Sequence, residues 1–120
     1  MKIYTSYFGN YRRFPSNMNP IAICAKPPQD FTGPCYKQLA PTYNTLMDYK
    51  NDGDANKFVQ RYKEETLKKL NPVHVVNDML NLIESNNILM LCYEKKGSFC
   101  HRHLVAEWLR KAGYEVEELD

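Results

Sequence analysis

Long apolar runs are missing from this 120-residue chain. None approaches the ~18 residues that a membrane-spanning helix requires, so no transmembrane segment is expected. A strong charge of one sign is missing too: the formal net charge of +2 is too small to argue for nucleic acid by itself. The opening Met1-Lys2-Ile3-Tyr4-Thr5 lacks the apolar stretch of a signal peptide and reads as a first strand, which makes a cytoplasmic location the expectation. The four cysteines, Cys24, Cys35, Cys92 and Cys100, include no CxxC pair, which argues against a zinc ribbon or knuckle. Without a secretion signal they are expected as reduced thiols. There is no repeat, low-complexity tract or linker, so residues 1–120 are read as one domain, long enough to bury a core without disulfides or metal.

What is present alternates between strand and helix patterns. Ile3 to Phe8 is rich in β-branched and aromatic residues and reads as a strand, followed by the turn signal Gly9-Asn10. Pro20 to Ala25 reads as a second strand, and Gln29 to Pro41 as mostly irregular, with room for a hidden strand in Phe31 to Leu39. Thr42 to Lys50 suggests a short helix, broken by Asn51-Asp52-Gly53. Asp54 then caps a helix to about Lys69 with Phe58, Val59 and Tyr62 on one face. The charges of that helix read as a solvated face. Asn71-Pro72 starts another helix whose stripe is Val73, Val76, Leu80 and Ile83. Ile88-Leu89-Met90-Leu91 is an unbroken apolar run, as in a strand covered on both faces. A helix from about Phe99 to Lys111 follows, with Leu104, Val105, Trp108, Leu109 and Ala112 on one face and Gly113 as its stop. The acidic, alternating Tyr114 to Leu119 reads as a short edge strand. The predicted fold is therefore α/β, a three-layer domain with a mostly parallel sheet of four to five strands and helices on both faces.

The chemistry concentrates between Cys92 and His103. With Ser98 as N-cap, the unpaired backbone N–H groups of the first turn face the carboxyl edge of the sheet, where α/β proteins bind ligands and where the helix dipole favours an anion. The same field lowers a cysteine pKa, so Cys100 is the candidate nucleophile, with His101 as its base and Glu94 beside it. Arg102 offers a fork for carboxylate or phosphate. In a parallel sheet the loops bring Arg12, Arg13, Lys26, Lys95 and Lys96 to that edge as well, a positive bias that points to a nucleotide or phosphate.

Two other readings compete with the nucleophile. Cys92, Cys100, His101 and His103 could hold a metal, but neighbours rarely ligate the same ion and His103 faces away, so no metal and no cofactor is expected. Alternatively, Cys100 is packed, His101 and Arg102 are polar caps holding Glu94, and Cys92 is core. The expected function is binding of an anionic, nucleotide-like small molecule, with Cys100 as a possible nucleophile. The alternative is a non-catalytic module that sequesters such a ligand or docks on a protein or nucleic acid. No membrane partner is expected, and the chain is read as a monomer or weak dimer.

These residues also carry a resemblance. Leu91-Cys92-Tyr93-Glu94, followed by Cys100-His101-Arg102 opening a helix, resembles the carboxyl-terminal signature of domain-of-unknown-function family 488, closest to its YeaO-like branch. Leu39-Ala40-Pro41-Thr42 and a helix with Phe58, Tyr62 and Glu65 are similar to that branch's middle section. Arg12-Arg13 or Lys26 would stand in for an arginine-rich motif of the first half. The resemblance implies a small α/β domain with a site at Glu94, Cys100, His101 and Arg102. It implies no reaction, because the family is uncharacterised.

Overall fold

Alternation of strand and helix patterns produces one parallel sheet. In the computed structural model, which describes residues 1–10, 18–93 and 99–119, the strands are β1 (Lys2–Tyr7), β2 (Pro20–Ala22), β3 (Asn87–Cys92) and β4 (Val116–Glu118). Their order is β2-β3-β1-β4, and every pairing is parallel. The apolar run of β3 lies inside the sheet, as a strand buried on both faces must. The acidic β4 lies at one edge, beside β1. The strand expected within Phe31 to Leu39 is reduced to one bridge between Ala22 and Cys35. Pro34, which has no N–H to give, accepts from Ala22 at 2.9 Å just before it.

The helices are α1 (Tyr43–Asp52), α2 (Ala55–Glu65), α3 (Pro72–Ile83) and α4 (His101–Lys111). Their starts follow the capping chemistry. Asp54 accepts from the Lys57 N–H at 3.1 Å, and Asn71 accepts from Val73 and His74 at 2.9 and 3.3 Å. Gly53 ends α1 at φ +66°, a backbone value that a side chain disfavours. The helix expected to reach Lys69 stops at Glu65 and is followed by a single tight turn, Leu67–Lys69. Replacing Asn71 by alanine should cost about 1 kcal/mol, read as a lower urea midpoint at unchanged slope. No loss would mean that Pro72 and packing alone define the helix start.

The sheet separates two cores. Ile3, Ile21, Ile88, Met90 and Val116 face Phe58 and Tyr62 of α2, Val75, Val76 and Met79 of α3, and Val105 and Leu109 of α4. On the opposite face, Ala22, Leu89 and Leu91 pack with Phe8 and Phe31, and with Met18, Cys35 and Leu119 against them. The α/β class and the layered parallel sheet are as expected, with one refinement: among the described residues the helices share one face, and strand ends and connecting segments cover the other. Crossover handedness gives the reason. A right-handed connection packs on one face when it steps one way along the sheet and on the other face when it steps back. The two connections that carry helices, β2 to β3 and β3 to β4, step the same way. Only β1 to β2 steps back, so the crossovers reverse between β1 and β3. Ligand crevices form at the carboxyl ends beside such a reversal.

Two helix faces are rotated from their expected stripes. In α3 the buried residues are Val75, Val76 and Met79, while Val73 is 49% exposed. In α4 they are His101, Arg102, Val105, Ala106 and Leu109, with Leu104 and Trp108 only partly covered. The first two residues of α4 thus enter the interior rather than crown it. No described helix is long and apolar enough to cross a membrane.

Candidate functional site

The carboxyl ends of β2 and β3 and the start of α4 meet at three reactive groups. Cys92 is the last residue of β3, and its side chain follows Ile88 and Met90 toward the helices. Cys100 is the N-cap of α4, in extended backbone at φ −153° and ψ 146°. This corrects the expected helix start at about Phe99. Ser98, the expected cap, lies outside the described residues, as do Arg12, Arg13, Glu94, Lys95 and Lys96. Phe99 is drawn into an aromatic cluster instead, with its ring 5.1 Å from those of both Tyr49 and Phe58.

His101 ties the group together. Its Nε2 lies 2.8 Å from the Ile23 carbonyl, an acceptor only, so Nε2 carries a hydrogen. Nδ1 is therefore turned to the sulfurs, 3.4 Å from Cys92 Sγ and 3.9 Å from Cys100 Sγ. All three donor atoms lie within 4.8 Å of one another. The Tyr62 ring stands edge-on to His101 at 5.6 Å and stacks on Phe58, while its hydroxyl donates to the Leu39 carbonyl. This aromatic wall keeps water from one side of the group. Cys92, Cys100 and His101 are each at most 6% exposed.

The two thiols are driven apart in acidity. The hydrogen bond from Cys92 pulls the Cys100 pKa far below its ordinary value. Burial opposes the shift, and the hydrogen bond and charge of His101 reinforce it. The Arg102 backbone N–H also favours the anion, although its geometry falls short of a capping hydrogen bond. Cys92 moves the opposite way, first because it gives its hydrogen to Cys100 and second because it is buried. The direction of the shift favours the anion at Cys100, which stands at the positive end of an 11-residue helix.

Arg102 sits differently from an anion-seeking fork. It is fully buried, and its Nε and Nη2 donate to the Glu118 carboxylate at 3.1 and 2.9 Å. Its guanidinium carbon lies 5.9 Å over the Tyr7 ring. Thr5 donates its hydroxyl to the same carboxylate. The first turn of α4 is thereby fastened across β1 to the edge strand. Lys26 is exposed, and its carbonyl accepts from the Tyr93 hydroxyl, which brings the segments after β2 and β3 side by side.

Several participants had no clear signal in the sequence. Cys92 was legible only as the third residue on the alternating face Ile88-Met90-Cys92. Glu118 was hidden in an acidic stretch, and the Ile23 carbonyl is backbone. Asn10, in the turn after β1, is 1% exposed, and its amide nitrogen has no hydrogen-bond partner among the described residues.

The converging groups include two sulfurs and an imidazole nitrogen, a donor set that soft metal ions also take. The expectation of no metal rested on Cys100 and His101 being neighbours. The geometry shows that neighbouring positions can still aim at one point.

Comparison with known proteins agrees with the family resemblance. No curated protein matches the chain, and no solved structure matches it. The family model DUF488-N3a, described as the active DUF488-N3 subclade, matches residues 5–113. The chain belongs to the DUF488 family.

Proposed function

We propose that this protein is an enzyme that uses the Cys100 thiolate as a nucleophile toward an anionic, nucleotide-like small molecule at the carboxyl edge of the sheet. The observation that carries the reading is the convergence of Cys92 Sγ, Cys100 Sγ and His101 Nδ1 within 4.8 Å, with the imidazole anchored through Nε2. A nucleophile needs a group to hold its proton and another to orient that group, and His101 and the Ile23 carbonyl supply both. The description of the matching family model as an active subclade is in keeping with catalysis.

The anionic character of the ligand rests on two features. The start of α4 presents the positive end of its dipole. Asn10 adds a buried amide donor at the carboxyl end of β1, and buried donors call for an acceptor. In this reading Arg102 acts indirectly, by holding the first turn of α4 in place. Lys26, Arg12 and Arg13 draw the ligand in from solvent.

Selective labelling tests the proposal. In the reduced protein near neutral pH, iodoacetamide should modify Cys100 before the more exposed Cys35. Nucleoside phosphates should slow that step more than the matching nucleosides do. Labelling led by Cys35, or unaffected by any phosphate ligand, would contradict it. The 5% exposure of Cys100 favours a second reading, a pocket that sequesters the ligand without bond-making. Phosphate-dependent thermal stabilisation that survives Cys100→Ser, with no labelling of Cys100 in the parent, would select it.

A further inference from the structure

Nucleophilic attack by Cys100 leaves the second thiol at the site without a task. Cys92 Sγ is closer to His101 Nδ1 than Cys100 Sγ is, 3.4 against 3.9 Å, and the two sulfurs are within 4.8 Å of each other. All four cysteines are free. Seven residues separate Cys92 and Cys100 in sequence, yet the end of β3 and the start of α4 bring their side chains into one buried cluster.

We infer that Cys92 and Cys100 form a redox-active dithiol, a modification site whose oxidant is hydrogen peroxide and whose product is an intramolecular disulfide that reversibly retires the nucleophile. The inference rests on the proposed thiolate at Cys100. The choice of oxidant follows from the enclosure. Cys92 and Cys100 are 4% and 5% exposed beside an aromatic wall, and hydrogen peroxide is among the smallest two-electron oxidants of a thiolate.

The chemistry proceeds in two steps. The Cys100 thiolate attacks one peroxide oxygen, forming an S–O bond and breaking O–O. Hydroxide leaves to solvent, and the sulfur, oxidised by two electrons, becomes a sulfenic acid while the peroxide is reduced by two. Cys92 sulfur then attacks Cys100 sulfur. The S–S bond forms and S–O breaks, and the proton of Cys92 passes through His101 Nδ1 to the departing hydroxide, which leaves as water. Sulfurs within 4.8 Å must close to a bond of ~2.05 Å, a movement that the N-cap position of Cys100, outside the regular helix, can accommodate. A thiol reductant returns both groups. Cys92 thereby also protects Cys100 from oxidation beyond the sulfenic stage, which is irreversible.

The test is a linkage map of the unmodified chain, reduced and freed of metal with a chelator, then treated with hydrogen peroxide. Two thiols should disappear together, a peptide pair joined through Cys92 and Cys100 should appear, and a dithiol reductant should restore both. In Cys92→Ser the product should instead be a sulfenic acid at Cys100 that dimedone traps. Cys100 oxidised without linkage to Cys92, a pair joined through Cys24 and Cys35, or four unchanged thiols would each overturn the inference. Iodoacetamide labelling of the reduced protein keeps the two ideas apart. Rapid labelling of Cys100 with no disulfide overturns the dithiol alone, whereas failure of both removes the nucleophile as well. The map needs no variant, so poor folding of Cys92→Ser leaves it decisive.

Discussion

Glu118→Ala should destabilise the protein by about 1.5–3 kcal/mol, the scale of hydrogen bonds to a charged group lost from the interior. The reasoning starts from Arg102, which is fully buried and whose guanidinium donates to Glu118 from both Nε and Nη2. Truncating the carboxylate takes these hydrogen bonds from a buried guanidinium and also removes the acceptor for Thr5. The edge strand β4 pairs with β1 through three positions, Val116 to Glu118, and Arg110 donates twice to the Val116 carbonyl. Chemical unfolding measures the loss. A cost below about 1 kcal/mol would place the contact among ordinary surface pairs. Replacing both residues by apolar ones of similar size should recover much of the loss, because the buried guanidinium goes with the carboxylate. A double variant as unstable as Glu118→Ala would mean that the damage lies in β4 pairing and not in the charge.

The second large effect is expected at His101. Without the imidazole, Cys100 loses a hydrogen bond and a charge that favour its anion. Each unit by which its pKa rises cuts the thiolate fraction tenfold once that pKa exceeds the ambient pH. His101→Ala should therefore slow alkylation of Cys100 by roughly tenfold or more in the acid range around its parent pKa, where the thiolate fraction follows that pKa. It also opens a cavity beside Tyr62 and strips the Ile23 carbonyl of its donor, so folding has to be verified by circular dichroism. His101→Gln separates the effects, since an amide can still donate to a carbonyl but cannot carry charge. Slow labelling in both variants assigns the effect to the imidazole. Labelling of His101→Gln at the parent rate would show that His101 orients the site without activating it.

The fold was legible where local chemistry and periodicity agree. Asp54 and Asn71 start their helices because their side chains satisfy first-turn N–H groups, and β3 announces itself by an apolar run that only a doubly covered strand needs. Strand order was not legible, because it depends on which connection steps back along the sheet. The candidate site was half legible. Cys100 and His101 follow from their place at a helix start behind a strand. The fate of Arg102 does not, although the signal existed: Val105, Ala106 and Leu109 follow it at three, four and seven positions, the spacing of a buried stripe. Leu104 and Trp108 suggested a neighbouring stripe with more apolar surface, and an arginine is seldom assigned to a core. Its partner lies sixteen residues on, in another element, where no local pattern connects them. Cys92 reads in the sequence as core or as one of four possible metal ligands, since a strand cysteine is usually only packed.

The most direct measurement is a pH titration of thiolate ultraviolet absorbance in the reduced, metal-free protein, compared with Cys100→Ser. It needs no reagent to enter the site. A lowered pKa makes the anion the favoured form in the folded state, so one thiolate should persist down through about pH 6, well under the free-thiol value of about 8.5. Burial pushes Cys24 up to about 11, and Cys92 is raised as well, so neither contributes there. Absorbance lost on acidification only far below neutrality, and absent in Cys100→Ser, is the predicted result. No thiolate below about pH 8, or one that survives in Cys100→Ser, would contradict an activated Cys100.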